Sequence, residues 1–410
     1  MTADSRTLLV IGGRVETVRK ARDLGLRVVN VQRPEEYRPE HAALVEAALL
    51  VDYTDWSVLR PLVTAAHEVY GFDGVATITE PGVEPVGLIA ETLGMRGVSH
   101  HCARLMRDKE SMRAHLTGRP GAVAATPLEG LDSLDEFGER HGYPFVVKPV
   151  DAAASLGVRL VRGPDEINDA WRDVVRLRGC TDHKFANYFP MGRFLMEEYL
   201  DGREFSVESL SFDGRHVPLA VTEKATHGNF VESGHALPAR LAEPERAALL
   251  ACVTEFLDAV DLRHGPAHTE VKLTTRGPRV IESHARPGGD RIMELVEAAY
   301  GVDIEAYTVG WATGVLPALE APPEPRAAAA TRFLTAAPGR VTGVQGVEEV
   351  RAHEGVFGVD VAVSVGDTVG PLEASWDRTG QILVTAADTE AAVVLAERLA
   401  GKIAVTTDPT

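Results

Sequence analysis

Over its first hundred residues the chain alternates short apolar runs with amphipathic stretches, and that rhythm dictates strands separated by helices. Leu8 to Ile11 is a buried-type run that ends in Gly12-Gly13. A helical stretch with Val18, Ala21 and Leu24 follows, Gly25 closes it, and Arg27 to Val31 is a second apolar run. The pattern continues through Ala48 to Val51, a helix over Leu59 to Tyr70, a strand over Gly74 to Ile78 and a helix over Pro85 to Leu93. Such alternation predicts a parallel sheet covered on both faces. Gly12-Gly13 invites a dinucleotide reading, but GxGxxG is absent, so a tight turn is the plainer reading.

Length and charge narrow the classes. The 410 residues suit two to three domains, and 45% hydrophobic with 25% charged residues excludes a disordered or fibrous chain. With 42 basic and 60 acidic side chains the formal charge is −18, which argues against nucleic acid and anionic membranes and points to small molecules. Cys102, Cys180 and Cys252 lie far apart with no CxxC pair, so packed thiols are expected rather than zinc ligands. The N-terminal residues follow no signal-peptide order and no 18-residue apolar run occurs; the expectation is a cytoplasmic protein.

From about residue 103 the texture changes. A helix carrying Lys109 is followed by strands at Phe145 to Lys148 and Val158 to Val161, then at Phe194 to Glu198, Glu204 to Phe212 and Val217 to Thr222. The prolines of the stretch beginning at Ala321 mark a boundary, and the residues beyond it read as a small α/β module with a helix at Thr389 to Leu399. Within that module, residues 356–370 superficially look like a biotinyl or lipoyl carrier hairpin. The lysine such a carrier needs is missing between Arg326 and Gly401.

Residues 268–290 carry the most chemistry. His268 to Leu273 and Arg279 to His284 flank Gly277-Pro278 and read as an antiparallel hairpin. If the hairpin is centred on Arg276, Glu270 lies opposite Glu282 and His268 opposite His284, all on one face. Facing carboxylates repel by roughly 0.2–1 kcal/mol, which a bound divalent cation would relieve. Oxygen ligands beside a phosphate-accepting site favour magnesium over zinc. A solvated hairpin with two surface glutamates is the competing reading.

Two further segments bear on a nucleotide. The strand Phe145 to Lys148 ends in a lysine and runs into the small-residue loop Asp151 to Gly157, where backbone N–H groups could approach an anion. No GxxxxGK[ST] loop occurs. Glu197-Glu198-Tyr199-Leu200, followed by an Asp201-Gly202 turn and Glu204, could offer a purine an apolar slot and a carboxylate for ribose hydroxyls.

In this order, the lysine helix, strand lysine, Glu-Glu-Tyr-Leu hinge, Glu270/Glu282 pair and Arg286 resemble the ATP-grasp superfamily. The resemblance covers roughly residues 1–320. It implies an α/β architecture: a Rossmann-like N-terminal domain over 1–102 and an ATP-grasp of two α+β subdomains over 103–200 and 201–320, to which the proline boundary adds a small C-terminal α/β domain over 321–410. It further implies that Lys109 and Lys148 contact ATP phosphates, with the loop around Ser155 closing over them. Glu197, Glu198, Tyr199 and Leu200 would hold the adenine, mainly through their backbone, and Glu204 the ribose. Glu270 and Glu282 would carry Mg²⁺, with Mn²⁺ the alternative ion. Where the superfamily usually has asparagine this chain has His284, either a weak metal contact or a residue standing behind one.

A narrower resemblance, to the L-amino-acid ligases, rests on Asn229 to Pro238 and on Arg286-Pro287-Gly288-Gly289-Asp290. It implies that Glu232, His235, Gly288 and Gly289 line an amino-acid site and that Arg286 stabilises an acyl phosphate, aided by a helix beginning near Gly288. The expected activity is an ATP-dependent carboxylate–amine ligase joining small-molecule carboxylate and amine substrates. Alternatives are an ATP-grasp carboxylase using bicarbonate and a non-catalytic nucleotide-binding regulator. No nucleic-acid or membrane partner is expected, and a homodimer is left open.

Overall fold

The computed structural model describes residues 5–180, 189–228 and 230–409; Asn229, the first residue of the segment singled out above, lies outside them. The N-terminal strands form a four-stranded parallel sheet in the order Ala47–Leu50, Arg27–Gln32, Thr7–Ile11, Gly74–Ala76. Alternation along Thr7–Ile11 feeds two cores. Leu9 and Ile11 pack with Leu59, Val63 and Ile89 on one face, while Leu8 and Val10 pack with Val18, Ala21 and Val309 on the other. The helix Trp56–Tyr70 starts where the Asp55 side chain accepts from the Ser57 amide and stops at Gly71 in the left-handed conformation.

One strand is shorter than its apolar run. The ladder ends at Ala76 rather than Ile78, because the Thr77 hydroxyl accepts from the Thr79 amide (3.1 Å) and bends the chain out of the sheet. That bend delivers Glu80 away from its own domain.

A four-stranded antiparallel sheet follows, ordered Ala125–Pro127, Phe194–Glu198, Phe145–Pro149, Arg159–Val161. The helices Leu131–His141 and Ile167–Leu177 cover one face through Leu134, Phe137, Ile167 and Val174, which meet Phe145, Val147 and Phe194. The largest sheet has eight strands. Gly277–His284 lies at one edge, then Gly265–Thr274, Arg203–Phe212, Arg215–Thr226 and Glu232–Leu237. The next strand, Ala328–Leu334, comes from beyond the proline-rich stretch and pairs directly with Glu232–Leu237. Gly380–Ala386 and Val356–Val361 complete the sheet, so it runs unbroken past the expected boundary near residue 321. No described helix is long and apolar enough to cross a membrane, and the three cysteines are free thiols.

Candidate active site

The hairpin forms with His268 paired to His284 and Glu270 to Glu282. Its turn is tighter than a centre on Arg276 implies, since Thr274 pairs with Gly277. A bulge between Glu270 and Val271 then restores the four-residue register. Both carboxylates are neutralised within the protein. Lys224 Nζ donates to Glu270 Oε1 (2.5 Å), and Lys109 Nζ lies 3.1 Å from Glu282 Oε2. Burial alone would raise both carboxyls, but Lys224 and His268 hold Glu270, and Lys109 and His284 hold Glu282, well below the usual carboxylate range.

A cleft between the two antiparallel sheets gathers Lys109, Lys148, Ser155, Glu197, Glu198, Tyr199, Leu200 and Glu204, together with Glu270 and Glu282. The side chains at the hinge are already committed. Arg113 Nε donates to Glu197 Oε1 (2.7 Å), Lys148 Nζ lies 2.7 Å from Glu197 Oε2, and Arg276 pairs with Glu198. What this hinge can offer a ligand is therefore its backbone and the Tyr199 and Leu200 side chains. Glu204 stands 3.4 Å from Lys224 Nζ and 3.5 Å from Lys272 Nζ, and Ser155 Oγ donates to the Phe230 carbonyl (3.0 Å). Lys109 Nζ also donates to the Ala152 carbonyl (2.6 Å), tying its helix to the small-residue loop.

Glu197 is the electrostatic keystone of this cleft. Burial would raise its carboxyl, yet Arg113 and Lys148 hold it at about 2. The depressed value means its stabilisation is complete above the ordinary carboxylate pKa near 4.5 and fades as the pH falls toward 2. Glu197→Gln, which strands two buried cations, should cost about 3–5 kcal/mol at neutral pH. Calorimetric melting from pH 7 to 3 should show the gap to wild type narrowing below pH 4.5; a gap that widens on acidification contradicts this account.

A second cleft adjoins the first and shares Ala153, Glu232, Glu270 and Glu282 with it. It adds His235, His284, Arg286 and Gly289 from the expected set, His268, expected on the same face of the hairpin, and Lys224, Asp290, Ser375, Trp376 and Arg378, to which the sequence assigned no role. Gly288 does not line it. A Cβ there would meet His268 Nδ1 at 2.9 Å and Glu208 Oε2 at 3.0 Å, so this glycine permits close packing behind the cleft. The helix expected near Gly288 starts only at Ile292, because Asp290 and Arg291 take positive φ angles of 54° and 59°. No helix N-terminus therefore begins at Gly288.

Two histidines are wedged between carboxylates. His268 Nδ1 lies 2.9 Å from Glu208 Oε2 and its Nε2 lies 3.2 Å from Glu270 Oε1. Burial would lower its pKa, but Glu208 and Glu270 push it up to about 9, so it is cationic at neutral pH. His284 Nδ1 lies 2.9 Å from Glu80 Oε2 and its Nε2 lies 3.0 Å from Glu282 Oε1. Glu80 also accepts from Arg286 Nε (2.6 Å), and Arg286 NH1 donates to the Pro287 carbonyl (2.8 Å). Burial would raise the Glu80 carboxyl, but His284 and Arg286 hold it well below the usual range.

The carboxylate pair suits a hard divalent cation. Both groups are ionised, both come from facing strands, and magnesium needs only one or two protein carboxylates when phosphate and water complete its shell. Among the described residues, no group of three or more His, Cys, Asp and Glu is arranged to hold a metal by itself. Both nitrogens of His284 face carboxylates, which places it behind Glu282.

Sequence reasoning missed Lys224, Glu80, Glu208, Arg113 and Arg378. Lys224 carried one faint signal, a lone lysine in a strand-forming run. The others come from distant segments and had none.

Three family models match successive parts of the chain: an ATP-grasp N-terminal domain over residues 18–97, an ATP-grasp domain over 141–294 and an L-amino acid ligase C-terminal domain 2 over 332–408. Alanine--anticapsin ligase of Bacillus subtilis (strain 168) is 28% identical over 262 residues, 60% of this chain and 55% of its own length. Carnosine synthase 1 of Homo sapiens is 28% identical over 349 residues, 79% of this chain and 41% of its own. The chain thus spans about half the length of these curated relatives. The crystal structure of L-amino acid ligase from Bacillus licheniformis superposes with a TM-score of 0.83 at 24% identity, covering 99% of this chain and 100% of that one. The chain carries ATP-grasp domains and is similar to the L-amino-acid ligases.

Proposed function

We propose that this protein is an ATP-dependent carboxylate–amine ligase that joins two amino acids, or molecules like them, and releases ADP and phosphate. The observation that carries the reading is the junction of the two clefts at Glu270 and Glu282. A nucleotide lying along the first cleft, with its adenine against Tyr199 and Leu200, would present its terminal phosphate at that junction. A carboxylate in the second cleft would then sit in line to attack it.

Lys148 and Lys109 neutralise phosphate charge, and the loop around Ser155 covers it. Glu270 and Glu282 would hold Mg²⁺, which when bound would neutralise charge on the nucleotide phosphates. The donor carboxylate oxygen attacks the γ-phosphorus and ADP leaves. The neutral amine of the second substrate attacks the acyl carbon, and phosphate departs with the oxygen that bridged it and takes up the proton the nitrogen loses. Arg286, fixed by Glu80 and Pro287, keeps N–H groups free for the acyl phosphate and the oxyanion that follows. His284 orients Glu282, and Glu232 and His235 line the amino-acid cleft. Most of the rate then comes from positioning and charge, as phosphoryl transfer requires.

The test is an ADP-release screen over pairs of amino acids with ATP and Mg²⁺, followed by mass measurement of the products. The ligase reading expects ADP release to rise only when an acid and an amine are both present, with a product lighter by one water than the sum of the two. Release driven by bicarbonate, or ADP with no condensed product, would overturn it.

A further inference from the structure

The far wall of the second cleft comes from an unexpected place. The turn Ser375–Asp377, which leads into Arg378, touches three parts of the site. The Ser375 amide donates to the Ala154 carbonyl in the small-residue loop (3.0 Å), Ser375 Oγ donates to Glu232 Oε2 (2.5 Å), and Arg378 pairs with Asp290. The Arg378 guanidinium is held on several sides. NH1 and NH2 donate to the two Asp290 oxygens (3.0 and 2.5 Å), Nε donates to the Ser375 carbonyl, and the Phe333 ring lies 3.6 Å from its central carbon. Asp290 is shared with His235, whose Nε2 lies 3.1 Å away.

We propose that Arg378 binds the α-carboxylate of the amine substrate. The assignment rests on the ligase reading and goes beyond it by naming the residue that anchors the carboxylate of the amine substrate. In an acyl-phosphate ligation the donor spends its carboxylate at the phosphate, so a second carboxylate-binding cation serves the substrate that keeps its own. Among the described residues, three non-histidine cations line this cleft: Lys224, Arg286 and Arg378. Lys224 is surrounded by Glu204, Glu232 and Glu270, and Arg286 is held by Glu80, the carboxylate that also meets His284. Arg378 has five N–H groups and spends three on Asp290 and Ser375, leaving two in a fixed plane. Its NH1 stands 4.0 Å from Glu232 Oε2, too far for a hydrogen bond. A cation and an anion at that separation complement a molecule that carries carboxylate and amine on the same carbon.

The test compares an acceptor amino acid with its carboxamide, using the full-length enzyme, ATP, Mg²⁺ and a fixed donor. Wild type should show a KM about tenfold or more lower for the free acid than for the amide, as loss of a charge-assisted contact implies. Arg378→Gln should raise the free-acid KM to the level of the amide, leave the KM for ATP and donor within about twofold, and largely keep kcat. Arg378→Lys keeps the charge without the fork and should retain part of the preference. It also serves if the glutamine variant fails to fold. A variant that folds and keeps the full acid-over-amide ratio overturns the assignment. If wild type condenses no pair at all, the ligase reading has failed. Calorimetric binding of acid against amide in the presence of ADP and Mg²⁺ then judges Arg378 separately, where equal loss for both ligands rejects it.

Discussion

Glu282→Ala should lower the rate of ADP formation by about a thousandfold or more, the scale expected when a charge clamp on a transferring phosphoryl group is removed. The carboxylate is ionised in a half-buried position, where Lys109, His284 and Lys148 offset the burial that would raise it, and it faces Glu270 across the hairpin. Removing it halves the proposed magnesium site and leaves Lys109 facing the phosphates without its partner. Glu282→Gln separates these effects, because it keeps the shape and the link to His284 while removing the charge. Melting curves of both variants establish that they fold. Magnesium-dependent turnover within tenfold of wild type in a folded Glu282→Gln protein contradicts the metal assignment.

Arg286→Met should reduce kcat by about 10²–10³-fold, equivalent to about 3–4 kcal/mol of lost charge stabilisation, with little change in the KM for ATP. Glu80 and the Pro287 carbonyl fix the orientation of the guanidinium before substrate arrives. Lysine cannot reproduce that fork, so Arg286→Lys should recover only a small part of the rate. Glu80→Gln should fall between Arg286→Lys and wild type, because it loosens Arg286 without removing it. Steady-state kinetics measures all three. An Arg286→Met enzyme that loses ATP affinity but keeps kcat would place the guanidinium in nucleotide binding instead.

The parts of the site visible in the sequence are those set by local rules. Cross-strand pairing follows from strand period and turn position, so Glu270 and Glu282 could be matched from their numbers, although a bulge rather than a longer turn produced the match. The alternation of the first hundred residues gave the parallel sheet for the same reason. Non-local features were hidden. Glu80 reaches Arg286 from 206 residues away, and Arg378 reaches Asp290 from 88. No periodicity encodes such meetings. The pairing of Ala328–Leu334 with Glu232–Leu237 was equally invisible, since a strand's partner depends on which edge the fold leaves open. The early helix start failed on two backbone angles that Asp290 and Arg291 adopt against their ordinary preference.

An acyl phosphate is the species that would link the two clefts, and isotope transfer detects its passage. With a donor amino acid identified by the ADP screen and labelled with ¹⁸O in its carboxylate, each amide bond formed should carry one labelled oxygen into inorganic phosphate, with ADP as the nucleotide product. Phosphate that stays unlabelled while the amide accumulates, or label recovered in AMP, would contradict the account.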